Sequence, residues 1–279
     1  MLIDEPMSNH TSFKIGGPAS VVVVPDTIED LCEIIKALKD TKYTVMGNGT
    51  NLLVSDKGFD GTVVKISGGL NEISVSDTVI TAGAGALLSK VGAVAKQNSL
   101  SGFEFASGIP GTVGGAVFMN AGAYGGEMKD IVVSSTYVDS QGNTGEITEH
   151  NFGYRTSIYK GTDKYVVSAK FKLEKGDSKE IADKMLDLAH RRAEKQPLEY
   201  PSAGSVFKRP EGYFAGALIE QAGLKGKQIG GACVSEKHSG FIINKGGATC
   251  DDVLKLIDFV RETVEKQFGV TLEQEIRLL

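Results

Sequence analysis

The stretch ASGIPGTVGGAVFMNAGAYGGE restricts this chain more than any other. It holds seven glycines between positions 108 and 126, interleaved with Ile109, Val113, Ala116, Val117, Phe118 and Met119. Glycine in such numbers costs conformational entropy unless the backbone must approach something closely. Residues such as Val113, Val117 and Phe118 belong in a core, which argues against a flexible surface loop. A large planar cofactor carrying a pyrophosphate fits that combination better. Across the whole chain 35 of 279 residues are glycine, well above the usual ~7% and without a collagen-like period.

A second glycine cluster, MGNGTNLLVS at 46–55, begins like a dinucleotide fingerprint. That fingerprint needs a third glycine and a helix opening directly after the turn. Here Gly47 and Gly49 lead instead into Leu52-Leu53-Val54, which Asp56-Lys57-Gly58 soon interrupts. The segment reads as a second short strand, so a Rossmann βαβ unit is excluded. Successive N–H groups around Gly47-Asn48-Gly49-Thr50-Asn51 suit an anion-binding nest. A plain tight turn between strands is the other reading, and spacing alone leaves both open.

Formal charge is −5 with acids and bases interspersed, giving no basic footprint for nucleic acid. The first residues show no continuous apolar h-region and no run reaches membrane-spanning length, so a cytoplasmic protein without membrane partners is expected. Cys32, Cys233 and Cys250 are few and far apart, as are the four histidines, so neither a disulfide framework nor a metal site is expected.

Periodicity predicts strands and helices in an α+β arrangement instead of regular βαβ repeats. A strand at ASVVVVP precedes a helix with Ile28, Leu31, Ile35 and Leu38 on one face, and Asp26 and Glu29 spaced as its capping box. YTVM, GTVVKIS and a hairpin EISVSDTVITAGAGA follow, then a helix with Leu87, Leu88, Val91, Val94 and Ala95. Strands are expected at IVVSSTYVDS and YVVSAKFKLEK. After Lys175 a charged amphipathic helix, with Asp177 and Glu180 spaced for a cap, leads into a different composition. That part should hold a short helix near FAGALIEQAGLKG, a strand at SGFIINKGG and a helix over 251–268. In GVTLEQEIRLL, the alternation of Leu272, Gln274, Ile276 and Leu278 predicts a final strand.

Three further positions attract chemistry. Arg155, flanked by Tyr154 and Tyr159 in YRTSIYK, has the planar fork that grips a carboxylate or phosphate bidentately, although surface arginines are common. Ser205 in PSAGSVFKRP lies beside Lys208 and Arg209, where a hydroxyl can donate a proton near an anion; a lone serine in a glycine turn is usually just a turn residue. No Gly-x-Ser-x-Gly elbow or His/Asp partner supports a hydrolase. Glu275 is a single carboxylate on the terminal strand.

Taken in order, TSFKIGGPA, GNGTNLLVSD, SGIPGTVGGAVFMNAGAYG, YRTSIYK, AGSVFKRP, GLKGKQIGGACVSEKHSGFIIN and LEQEIRLL resemble the UDP-N-acetylenolpyruvoylglucosamine reductase (UDP-N-acetylmuramate dehydrogenase) family almost from end to end. The short spacing between YRTS and AGSVFK resembles its shorter, type II form. The resemblance implies a vanillyl-alcohol-oxidase/PCMH-type FAD-binding fold of two subdomains plus a C-terminal α+β substrate-binding domain. It places the first subdomain at 1–65, joined by a terminal strand at 270–279, the second at 66–175 and the substrate domain at 176–269. It implies a non-covalent FAD held by Gly47, Asn48, Gly49, Thr50, Asn51 and Leu52. A second wall would comprise Ser107, Gly108, Ile109, Pro110 and Gly111, with Gly114, Gly115, Asn120 and Gly122 beyond. It implies catalytic roles for Arg155, Ser205 and Glu275: a guanidinium for developing enolate charge, a proton donor to carbon, and a carboxylate holding the geometry or acting as acid. Tyr124, Lys208, Arg209 and His238 are expected at the substrate, Arg209 standing where some members carry asparagine. NADPH would be the hydride donor, a UDP-sugar the substrate and a monomer the working form, in peptidoglycan precursor synthesis.

Two other readings compete. An alcohol oxidase of the same fold would often tether its flavin through histidine or cysteine, and neither glycine-rich loop contains one. A nucleotide-sugar-binding protein without redox activity would need neither the flavin loops nor the Arg155, Ser205 and Glu275 set.

Overall fold

Strand Lys164–Lys172 shows how the pattern becomes structure: Val167, Ala169 and Phe171 are buried while Lys170 and Lys172 point outward, the period of a half-buried strand. In the computed structural model, which describes residues 1–279, it lies centrally in a five-stranded sheet. The order is Thr144–Ile147, Val132–Asp139, Lys164–Lys172, Val79–Gly83, Ile73–Ser76, and every pairing is antiparallel. The predicted hairpin is therefore the edge Ile73–Ser76 with Val79–Gly83. One parallel pair, Tyr43–Met46 with Phe59–Lys65, does not extend into a βαβ series.

Helix α1 (Ile28–Leu38) buries Leu31 and Ile35. Its capping box differs from the expected one: Thr27 and Asp30 form it, not Asp26 and Glu29. Both pairs have the same three-residue spacing, so spacing alone does not choose between them. Thr27 is the residue with extended backbone geometry whose hydroxyl accepts from the Asp30 N–H at 3.0 Å. Helix α2 (Leu88–Gln97) buries Leu88, Val91 and Ala95. The glycine-rich stretch contains a third helix, α3 (Val113–Met119), ending at Asn120 in the left-handed conformation, φ 44°. Helix α4 (Ser178–Lys195) is capped by Asp177, whose Oδ1 accepts from the N–H groups of Lys179 and Glu180.

The chain divides into two compact units, each assembled from separate segments. The first comprises residues 1–2, 21–48 and 61–192; the second comprises 3–20, 49–60 and 193–279. In the second unit an antiparallel sheet runs Ser202–Ser205, Phe241–Asn244, Ala232–Val234, Gln228–Ile229. Helix α6 (Cys250–Phe268) packs on it and helix α5 (Ala215–Gln221) packs against α6. The apolar face of α6 is buried as its spacing predicts, through Val253, Leu256, Ile257, Val260 and Val264. Phe13 and Ile15, from the N-terminal segment, join that core. The predicted final strand is shorter than its alternation suggests. Only Arg277–Leu278 forms a ladder, parallel to Leu52–Leu53, and Leu278 is exposed. Residues 273–275 are held by bonds to residues 206 and 208.

A buried polar chain crosses the first unit. Ser135 Oγ lies 2.7 Å from His150 Nε2 and 2.6 Å from the Tyr159 hydroxyl, and the imidazole stacks on Phe152 at 4.7 Å. Burial pushes the His150 pKa below its ordinary 6.5, outweighing a backbone hydrogen bond at Thr148. The unfolded chain therefore binds more protons in acid, and this contribution to stability is complete above about pH 6.5 and declines as pH falls below it. Denaturant unfolding from about pH 8 to about pH 5 should show that decline. His150→Gln, uncharged throughout, should be less stable at neutral pH and show a shallower acid slope. An unchanged slope would place the acid sensitivity elsewhere.

Candidate functional site

The two glycine-rich segments meet inside the first unit. A Cβ on Gly47 would fall 2.4 Å from Thr112 Oγ1, a separation real side chains do not reach, so glycine is needed here for a close approach of backbone to hydroxyl. Thr112 opens α3, is buried, and its hydroxyl has no hydrogen-bond partner. Buried hydroxyls normally find one. A bare backbone facing an unsatisfied buried hydroxyl suits the oxygen-rich pyrophosphate of a dinucleotide cofactor. Ser67 fixes this corner by donating to the Gly47 carbonyl at 3.3 Å. Not every glycine in the stretch is left open to a ligand: a Cβ on Gly114 would meet Ala84 at 2.9 Å, so that position lets α3 sit on the chain beneath it.

Arg155 occupies the tip of a two-residue turn. Reciprocal bonds close it, Gly153 N–H to Thr156 O at 3.1 Å and Thr156 N–H to Gly153 O at 3.3 Å. Arg155 adopts φ +56°, a region where glycine is favoured and other residues incur roughly 1–3 kcal/mol. An arginine kept there against that cost points to its side chain. Nη2 reaches the Gly122 carbonyl at 3.4 Å, and the guanidinium lies 5.2 Å from the Tyr154 ring centroid. Asn120 anchors the turn. Its Nδ2 donates to Gly153 O and Glu127 Oε2, each at 3.0 Å, while Oδ1 accepts from the Lys129 N–H. Lys129 holds the Glu127 carboxyl below its usual pKa, with Asn120 and the Arg155 charge acting in the same direction. On the other side of the turn, Ser157 donates to Phe118 O and Tyr159 joins the buried chain with Ser135 and His150.

In the second unit Ser205 and Glu275 lie on neighbouring segments: Glu275 N–H donates to Val206 O at 2.7 Å. A bulge between Ser202 and Ser205, with Gly204 at φ +80°, interrupts pairing with Phe241–Asn244. Such bulges re-aim side chains, and the half-buried Ser205 hydroxyl is left without a partner within the protein. Asn51 belongs to the same cluster, donating to Glu275 O at 3.3 Å and accepting from Arg277 N–H.

The remaining expected residues are placed as follows. Ser107 donates to Glu104 O, Ile109 N–H bonds Ala106 O, and the Gly111 carbonyl accepts from Leu88 N–H. Tyr124 is exposed at φ +54°. Lys208 pairs with Glu273. The Arg209 guanidinium stacks 3.9 Å from the Phe214 ring centroid. His238 Nδ1 accepts from Gly240 N–H, and burial lowers its pKa. Thr112 is a residue that the sequence reading passed over, although it carries a signal: a hydroxyl at the start of a glycine-rich helix.

Matches to known families cover two stretches of the chain. Residues 19–148 match the family described as FAD binding domain, and 196–279 match the C-terminal domain of UDP-N-acetylenolpyruvoylglucosamine reductase. The fold is thus that of a FAD-binding flavoprotein with an added C-terminal domain. The reductase of Caldanaerobacter subterraneus subsp. tengcongensis is 54% identical, and that of Alkaliphilus oremlandii 52%; each match covers 100% of this chain and 93% of the relative. The crystal structure of UDP-N-acetylenolpyruvylglucosamine reductase (MurB) from Thermus caldophilus superimposes with a TM-score of 0.85 at 35% identity, over 98% of this chain and 97% of that one. The chain belongs to the UDP-N-acetylenolpyruvoylglucosamine reductase family.

Proposed function

We propose that this protein reduces UDP-N-acetylenolpyruvoylglucosamine to UDP-N-acetylmuramate with NADPH, through a non-covalent FAD, as a cytoplasmic monomer in peptidoglycan precursor synthesis. The observation that carries the reading is the junction of Gly47 with the unsatisfied Thr112 hydroxyl, in a chain of this family. Gly47, Asn48 and Thr112, with the 107–111 backbone, would hold the cofactor. Bound there, FAD would supply hydride transfer between NADPH and the methylene carbon of the enolpyruvyl group.

The protein's own groups handle the charge and the proton. As the double bond accepts hydride, negative charge builds toward the substrate carboxylate, and the Arg155 guanidinium stabilises it. A fixed donor of this kind needs no reorganisation during reaction. Ser205 delivers its proton to the carbon bearing the carboxylate and regains one from solvent. Glu275 holds the geometry beside Ser205, or helps as an acid.

Purified protein should be yellow, and acid precipitation should release its flavin into the supernatant. Anaerobic NADPH should bleach the absorbance and UDP-N-acetylenolpyruvoylglucosamine should restore it. A colourless protein that FAD cannot reconstitute, or reduced protein that the substrate does not reoxidise, would overturn the assignment.

A further inference from the structure

Helix α4 carries consecutive arginines with different surroundings. Arg191 faces outward and pairs with Asp187 at 2.8 Å, one turn back. Arg192 turns inward and continues the stripe of Ile181, Met185 and Leu188, whose positions call for an apolar residue. It is half-buried, and Nη1 donates to the Gly108 carbonyl. No carboxylate pairs with it in the protein. Burial pulls its pKa below the ordinary arginine value, and the nearby Tyr124 phenol opposes that shift.

Withdrawing a guanidinium from water without a counter-charge is unfavourable. Arginine offers five N–H donors in a rigid fork, and Gly108 accepts from only one of its nitrogens. A carbonyl is a weak partner for a full positive charge, and the remaining donors match the spacing of phosphate oxygens. Tyr124 is near enough for its phenol to act on the Arg192 charge, and it holds a strained left-handed backbone while remaining exposed, a combination that favours a ligand role over packing.

We propose that Arg192, with Tyr124 and the backbone at Gly108, forms a seat for a phosphate oxyanion of a nucleotide ligand. The anion is the diphosphate of the UDP-sugar or the pyrophosphate of FAD, and this inference rests on the functional reading above. Arg192 acts here as a binding residue, outside the chemistry assigned to Arg155, Ser205 and Glu275.

Two affinities test it: FAD for the apoprotein by flavin fluorescence, and UDP for the oxidised holoprotein by calorimetry, each at two salt concentrations. Arg192→Gln should weaken one of them by about 10- to 100-fold, the range for a lost charge-assisted hydrogen bond, and should flatten its salt dependence. Arg192→Lys keeps the charge and a donor for Gly108 but loses the fork, so an intermediate loss is expected. Arg191→Gln is the matched control and should change neither. A loss confined to UDP assigns the seat to the sugar nucleotide, and one confined to FAD assigns it to the cofactor. If wild-type protein binds both ligands while Arg192→Gln stays within about twofold with unchanged salt dependence, the seat is disproved and Arg192 merely secures Gly108. Wild-type protein that binds neither ligand overturns the functional reading itself.

Discussion

Ser205→Ala is expected to bleach with NADPH at close to the normal rate, yet to be reoxidised by UDP-N-acetylenolpyruvoylglucosamine at least about 10²-fold more slowly. A positioned general acid contributes about 10²–10⁴-fold, and only the second half of the cycle calls for a proton at carbon. The structure favours a clean result. The Ser205 hydroxyl is tied to no protein partner, so its removal leaves no buried group unsatisfied. The bulge that presents it is formed by the backbone around Gly204 and survives the change. Ser205→Cys should regain part of the loss, because a thiol also donates a proton. Stopped-flow absorbance separates the half-reactions. Equal slowing of both would make Ser205 a packing or binding residue, and slowing of neither would remove it from the site.

Arg155→Lys is expected to lose about 10²–10³ in turnover, the usual cost of one well-placed electrostatic stabiliser. Lysine carries the same backbone and Cβ through the left-handed turn, so strain at φ +56° is common to both proteins. The comparison therefore reads the guanidinium itself, whose planar two-pronged contact a point charge cannot reproduce. The loss should appear in the turnover number while thermal stability stays near wild type. Near-normal turnover would place Arg155 outside the reaction.

Periodicity revealed the elements whose faces are one-sided. The stripe Val253, Leu256, Ile257, Val260 and Val264 fixes α6 because only helical spacing puts those residues together. The α1 cap was displaced by one position because two acid-bearing pairs share a spacing and only backbone geometry chooses between them. The terminal alternation suggested a longer strand because pattern reports which side chains alternate, not how many neighbours supply ladder bonds; residues 273–275 bond to residues 206 and 208 outside a continuous ladder.

At the candidate site, the sequence conveyed residue types but not their meeting. That Gly47 abuts Thr112 depends on a contact between residues 65 positions apart. Arg155 stood out as a possible clamp, whereas its dependence on Asn120 is tertiary: in sequence, Asn120 is one residue of a glycine-rich stretch, expected at the cofactor and not at the arginine turn. The buried partnership of Ser135, His150 and Tyr159 left no local signature, since serine, histidine and tyrosine at irregular spacing look like ordinary surface residues until burial is known.

The way the chain threads the two units bears on its synthesis. The backbone passes from one unit to the other within residues 2–3, 20–21, 48–49, 60–61 and 192–193, so neither is a contiguous stretch. Asn244 donates to the carbonyl of Phe13 across 231 positions, and Ser12 donates to Ser202 O across 190. Such contacts carry a large loop-closure cost before they return any stability, which slows folding. At roughly 5–20 residues per second on the ribosome, Phe13 and Ile15 wait many seconds for α6, the helix that completes their core. During that interval an apolar N-terminal segment is without its partners. Excising the C-terminal domain at residue 196 would likewise remove Phe13, Ile15 and Leu53 from the core it shares with them, leaving a fragment with a hydrophobic vacancy.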